Sequence, residues 1–133
     1  MQLGVQFFGD PLAPLDLPPT FGHPKTRAKF LENVKTIAQR RPNLMNLGAE
    51  LNFLYWLNPI EYAHFATLYQ EAYKVIKSVS PSTLVGATFH YTLYRACEQG
   101  EALEALVDYD YVGFTIYPIW MLDTGLVDEI DKI

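Results

Sequence analysis

Residues 44–89 read LMNLGAELNFLYWLNPIEYAHFATLYQEAYKVIKSVSPSTLVGATF and spell out one strand–helix–strand unit. Leu44 to Leu47 opens a short apolar strand that runs out near Gly48-Ala49-Glu50. Asn58-Pro59-Ile60-Glu61 then makes a helix start. Asn58 is the cap, Pro59 takes the first turn, and Glu61 is placed to reach back as the capping-box partner. Phe65, Leu68, Ala72, Val75 and Val79 recur at helical spacing and predict the buried stripe of that helix. Ser80-Pro81 ends it, and Leu84 to Phe89 is again a strand.

Working outward, the same alternation continues on both sides. Leu3 to Phe8 predicts a strand ended by Gly9-Asp10-Pro11. Residues 11–24 hold five prolines and predict a loop, of a length that marks a functional or disordered segment. Thr26 to Arg40 predicts an amphipathic helix with Ala28, Leu31, Val34, Ile37 and Ala38 inward and Lys29, Glu32 and Lys35 outward. Downstream, Ala102, Leu103, Leu106 and Val107 mark a shorter helix. Tyr111 to Ile116 is a strand closed by Pro118, and Leu122 to Ile133 starts a last helix, with Leu126, Val127 and Ile130 spaced for burial. The order is four consecutive βα units with no hairpin signal. That is an α/β chain with a parallel sheet, either a barrel or an open doubly wound sheet. No glycine-rich phosphate fingerprint follows any strand, which argues against the dinucleotide-binding version, and no cofactor is expected.

Composition narrows the classes further. The chain has 133 residues, half of them hydrophobic, which is one domain and well short of a full eight-unit barrel at about 250 residues. A net charge of -5 and a pI near 5.0 argue against a nucleic-acid partner, which would need clustered Lys and Arg. The one basic pair, Arg40-Arg41, closes a predicted helix and complements its dipole. Cys97 is the only cysteine, so neither an internal disulfide nor a zinc-ligand spacing exists; it reads as a small side chain near a helix start. His23, His64 and His90 fall in a loop, on a helix and at a strand end, and no metal site is expected. No apolar run approaches the roughly 18 residues of a membrane span, so no membrane partner is expected. The first residues lack the basic region of a signal peptide.

In parallel α/β folds, sites collect at the carboxyl ends of the strands. Asp10 ends the first strand, where it is either a ligand for a substrate hydroxyl or an ordinary turn residue before Pro11. Glu50 follows the second. Were the extended geometry to persist, Asn46, Gly48, Glu50 and Asn52 would alternate onto one face, with Glu50 at the sheet's mouth and amides beside it. A partly buried carboxyl in such a place can hold its proton to near neutrality and act as a general acid; the alternative is a carboxylate that serves a helix dipole or anchors a loop. Phe53, Tyr55 and Trp56 follow in an aromatic loop, which suits either sugar rings stacking on π faces or packing on a neighbouring helix. His90 after the third strand contacts substrate, tunes a carboxylate or is structural. Tyr117, fixed by Pro118, and Trp120 offer a hydroxyl and a stacking platform after the fourth, or else a core edge.

Together these strand ends resemble the middle of clan A glycoside hydrolases, closest to the arabinogalactan endo-β-1,4-galactanases. Gly48-Ala49-Glu50 stands where that family has Gly-Asn-Glu, whose Glu is the acid/base. Asp110-Tyr111-Val112-Gly113-Phe114-Thr115-Ile116-Tyr117-Pro118-Ile119-Trp120 matches its Asp-x-x-Gly-x-x-Tyr-Tyr-Pro-x-Trp signature. Ser80-Pro81-Ser82-Thr83 and His90 fit its fifth strand, and Phe8-Gly9-Asp10 loosely fits its third. Ala49 departs from the Asn that contacts the sugar's 2-hydroxyl, and Phe7 stands in place of a substrate-binding His. The resemblance implies that residues 1–133 are a single incomplete (β/α)8 TIM barrel domain, approximately its third strand to its sixth helix. It implies retaining hydrolysis of O-glycosidic bonds in β-linked polysaccharide by the complete protein. Glu50 would be the acid/base, and Asp10, Asn52, Tyr55, Trp56, His90, Tyr117 and Trp120 would bind substrate, with Tyr117 helping to hold the nucleophile. The nucleophile itself would follow a seventh strand, so this stretch alone is expected to be inactive. Two other readings stand beside it: a degenerate barrel that binds carbohydrate without cleaving it, favoured by Ala49, and a half-barrel that self-associates through its exposed sheet edges.

Overall fold

The computed structural model of the chain describes residues 20–118. The strand expected at Leu3 to Phe8, the helix expected from Leu122, and Asp10 and Trp120 lie outside them. The described elements run α1 (Pro24–Ala38), β1 (Leu44–Asn46), α2 (Leu51–Leu57), α3 (Pro59–Val79), β2 (Leu84–His90), α4 (Tyr91–Ala96), α5 (Gly100–Glu104) and β3 (Tyr111–Thr115). The three strands form one parallel sheet in the order β1-β2-β3. Its strands therefore follow chain order, each next to its predecessor.

The register explains where the core sits. Met45 pairs with Val85, Ala87 with Val112, and Phe89 with Phe114, so these residues share one face of the sheet. Met45, Leu47, Val85, Ala87 and Phe89 join Phe30 and Val34 of α1, Phe65, Leu68, Ala72 and Ile76 of α3, and Ala102 and Leu106 in a single buried cluster, with Val112 and Phe114 packed on it. Helix α1 before β1, α3 between β1 and β2, and α5 between β2 and β3 thus share one buried cluster with that sheet face. The other face carries Asn46, Gly86, Thr88, His90, Tyr111, Gly113 and Thr115, and its apolar pair Leu44 and Leu84 is exposed.

Local chemistry accounts for the helix ends. Asn58 Oδ1 accepts from the Glu61 N–H at 3.1 Å, as its cap role predicts. The reciprocal half of the capping box is not made, because the Asn58 N–H already donates to Leu54 O of α2. The Glu61 carboxylate instead takes the Thr20 hydroxyl and the Phe21 N–H, tying the segment before α1 to α3. Arg27 adds to that tie through Phe21 O, His64 O, Thr67 and Glu71. Helix α1 begins two residues before the predicted Thr26, with Pro24 in its first turn and the His23 ring capping Lys25 N–H. Phe30 rather than Ala28 occupies its inner face.

Three features correct the sequence reading. The aromatic stretch after Glu50 is a seven-residue helix and not a loop. A short helix, α4, which the sequence reading did not include, follows β2 directly; exposed Cys97 caps its C-terminus and lies just before α5, near a helix start as expected. Val107, expected to mark a helix with Ala102, Leu103 and Leu106, lies beyond the end of α5, exposed and at φ 62°.

Asp110, just before β3, works at the amino end of the sheet. Its carboxylate pairs with Lys77 of α3 at 2.5 Å and accepts from Val85 N–H at 2.8 Å and from the Tyr73 hydroxyl at 3.1 Å. Burial pushes this carboxyl up, but the Lys77 ammonium, the Val85 N–H and the Tyr73 hydroxyl outweigh it and hold it below its usual value. A depressed folded-state pKa gives stability that is complete above the unfolded value of about 3.9 and is lost as pH falls through the folded one. Asp110→Asn should therefore cost about 1–2 kcal/mol at pH 7, discounted for partial exposure. Urea titrations should show that cost vanishing toward pH 2; a cost equal at both pH values would count against the ion pair.

Candidate functional site at the strand carboxyl ends

The ladder between β1 and β2 continues past Asn46, since Leu47 N–H donates to Gly86 O and Thr88 N–H to Gly48 O, both at 2.9 Å. A Cβ at Gly48 would fall 2.4 Å from a methyl of the buried Leu51, so glycine is what lets α2 fold back this closely. Two residues later Glu50 turns the chain into α2 with left-handed dihedrals, φ 52° and ψ 45°. That conformation disfavours a residue with a Cβ by about 1 kcal/mol. Glu50 occupies the cap position of α2, yet its side chain makes no cap hydrogen bond. The carboxylate is delivered to the end of β3 instead, where Oε1 accepts from the Thr115 hydroxyl at 2.5 Å.

Tyr117 completes the cluster. Its hydroxyl donates to Glu50, and that hydrogen bond together with the carboxylate's charge raises the phenol above its ordinary value. Its ring stacks on the His90 imidazole with centroids 5.2 Å apart and planes 14° from parallel. Phe53 of α2 meets the same imidazole edge-on, also at 5.2 Å. His90 is buried, and Nδ1 accepts from Leu93 N–H, capping α4. Burial lowers the imidazole's pKa, while the nearby Glu50 charge works in the opposite direction. Glu50, His90, Thr115 and Tyr117 therefore meet at the carboxyl ends of three neighbouring strands.

The other expected residues divide. The alternation of Asn46, Gly48, Glu50 and Asn52 does not persist, because Glu50 is left-handed and Asn52 is helical. Asn52 is fully buried, and its amide accepts from His90 N–H at 2.8 Å and donates to His90 O at 2.9 Å. It thus holds β2's end to α2. Tyr55 packs edge-on against Tyr62, and its hydroxyl donates to Glu101 at 3.1 Å, which raises its pKa. Trp56 is exposed on α2, beside the exposed Leu57 and Ile60. On the sheet face below Glu50, Asn46 Oδ1 and the Tyr111 hydroxyl are buried with no hydrogen-bond partner among the described residues. Thr115 was not singled out by residue type, since a threonine inside a strand reads as an ordinary strand former.

Among the described residues there is no group of three His, Cys, Asp or Glu side chains that could hold a metal ion, and no helix long and apolar enough to cross a membrane. Fold and site together define a mixed α/β chain with a polar cluster around one carboxylate, Glu50, at the carboxyl end of a parallel sheet. Neither a family model nor a curated protein matches the chain.

Proposed function

We propose that this chain is a run of consecutive units from a (β/α)8 barrel of the clan A glycoside hydrolase type, and that Glu50 is its acid/base. The observation that carries the reading is the delivery of the Glu50 carboxylate, past its own helix cap, onto Thr115 and Tyr117 at the strand ends. A carboxyl there is placed as a barrel enzyme needs it. Sequential strand order with helices on one sheet face also fits a barrel, which winds in one direction only.

In this reading Glu50 protonates the leaving glycosidic oxygen and later takes a proton from the attacking water. Retention requires a second carboxylate about 5–5.5 Å away as nucleophile, which the resemblance places after a seventh strand. Trp56, exposed and close in sequence to Glu50, suits a sugar-stacking platform. Asn52 and Tyr55 contribute by shaping the site, since their polar groups are already engaged.

The test is hydrolysis of β-linked polysaccharides and aryl β-glycosides by the full-length protein. Glu50→Gln should lower kcat by about 10²–10⁴-fold. Turnover unchanged by Glu50→Gln would overturn the assignment. Carbohydrate binding that survives Glu50→Ala, with no hydrolysis by the wild type, would make the protein a binder.

A further inference from the structure

A short hydrogen bond to the Glu50 carboxylate, 2.5 Å, comes from Thr115, an unspecified position of the Asp110–Trp120 signature. We propose that Thr115 is a positioning residue whose hydroxyl holds the Glu50 carboxylate at the ends of β2 and β3. The inference rests on reading Glu50 as the working carboxyl. Thr115 has two acceptors in reach and only one proton to give. Phe89 O lies at 3.4 Å and Glu50 Oε1 at 2.5 Å, so the proton goes to the carboxylate. A hydroxyl-to-carboxylate distance of that length lies in the charge-assisted, strong range.

The donor is also rigid. Thr115 is β-branched, so its χ1 is restricted, and its backbone is registered against His90 in the ladder. One residue of the row along, Gly113 lets β3 lie close to β2, because a Cβ there would meet the Thr88 methyl at 2.7 Å. On the other side, Thr88 reaches Gly48 O and Glu50 N–H, both at 3.4 Å, and steadies the turn that carries Glu50. A flexible glutamate on a left-handed turn is thereby given one fixed direction by a stiff side chain from two strands away.

His90 reports where that carboxylate is. Among the described residues, Glu50 and, from the end of β3, Tyr117 are titratable groups that face its ring. Helix α2 brings Phe53 and Asn52, which do not titrate, and the charged residue of α4 is the exposed Arg95. The experiment follows the three histidines by NMR against pH. Glu50→Gln removes the charge that favours the imidazolium and should lower the His90 midpoint. Thr115→Val releases the carboxylate and should produce part of that drop, while Thr115→Ser keeps the donor and should match the wild type. Thr115→Ala gives the same reading should the valine variant fail to fold. A His90 midpoint unmoved in the variants lacking the hydroxyl, or a serine variant that moves as far as they do, would overturn the inference. The titration needs no turnover, so failure of the hydrolysis test removes the enzymatic reading and leaves Thr115 to be decided here.

Discussion

Gly86→Ala is expected to remove about 3 kcal/mol of stability, seen as a lower denaturant midpoint at unchanged slope. Gly86 sits in the central strand, opposite Asn46 on one side and Tyr111 on the other. A Cβ there would lie 2.3 Å from Tyr111 O and 2.7 Å from the Tyr111 ring. The oxygen is backbone in a ladder, so it cannot swing aside as a side-chain tip would. Relief requires β3 to move off β2, which breaks the parallel pairing and drags Thr115 away from Glu50. The Tyr111 ring is held over the glycine, and burial pushes its phenol up to about 12. Gly100→Ala provides the contrast, because the nearest atom to its added Cβ is the Tyr94 hydroxyl at 4.0 Å. In the first turn of α5 it should be neutral or stabilising by up to about 1 kcal/mol. A Gly86→Ala variant within about 0.5 kcal/mol of wild type would show that the two strands are not packed this closely.

Asn52→Leu is expected to cost a similar amount, about 3 kcal/mol, for a different reason. The leucine fits the size of the site but strands two buried backbone groups, the N–H and the C=O of His90, each worth about 1–3 kcal/mol when unpaired. Hydrogen exchange sharpens the test: the His90 amide should lose protection out of proportion to its neighbours in β2. If thermal unfolding and the His90 amide are both unchanged, the Asn52 clamp is not what joins α2 to the strand end. The position matters for function because His90 and Glu50 flank that joint. Under the proposed glycosidase reading, a loss of sugar affinity in the Asn52 variant would follow from a loosened site rather than a lost ligand contact.

Much of the fold was legible because its signals are local. Asn58 and Pro59 mark the start of α3 by cap and ring chemistry that needs no tertiary partner. The stripe through Phe65, Leu68 and Ala72 marks the inner face of that helix, with Tyr69 and Ile76 completing it. Helix α2 escaped because Leu51 to Leu57 is apolar or aromatic on nearly every side, so no polar face sets a period, and seven residues cover only two turns. Glu61 shows the same limit at one atom. Its spacing from Asn58 suits a capping box, but the Asn58 N–H was already taken by α2, a helix the sequence did not reveal.

The site divides along the same line. Glu50 after an apolar strand, Tyr117 before a proline and His90 at a strand end were readable, because a polar residue where a strand stops has few packing reasons to be there. Thr115 and Asn52 were not readable in their actual roles. One lies 65 residues from Glu50 and the other 38 from His90, and nothing local records either pairing. The amino-acid order thus established the alternation of elements, the parallel sheet and the carboxylate at a strand end, since each follows from periodicity and turn chemistry within a few residues. Register and the left-handed turn at Glu50 decided the rest. They brought Thr115 and Tyr117 onto that carboxylate and occupied Asn52 with backbone, which only three strands side by side can do.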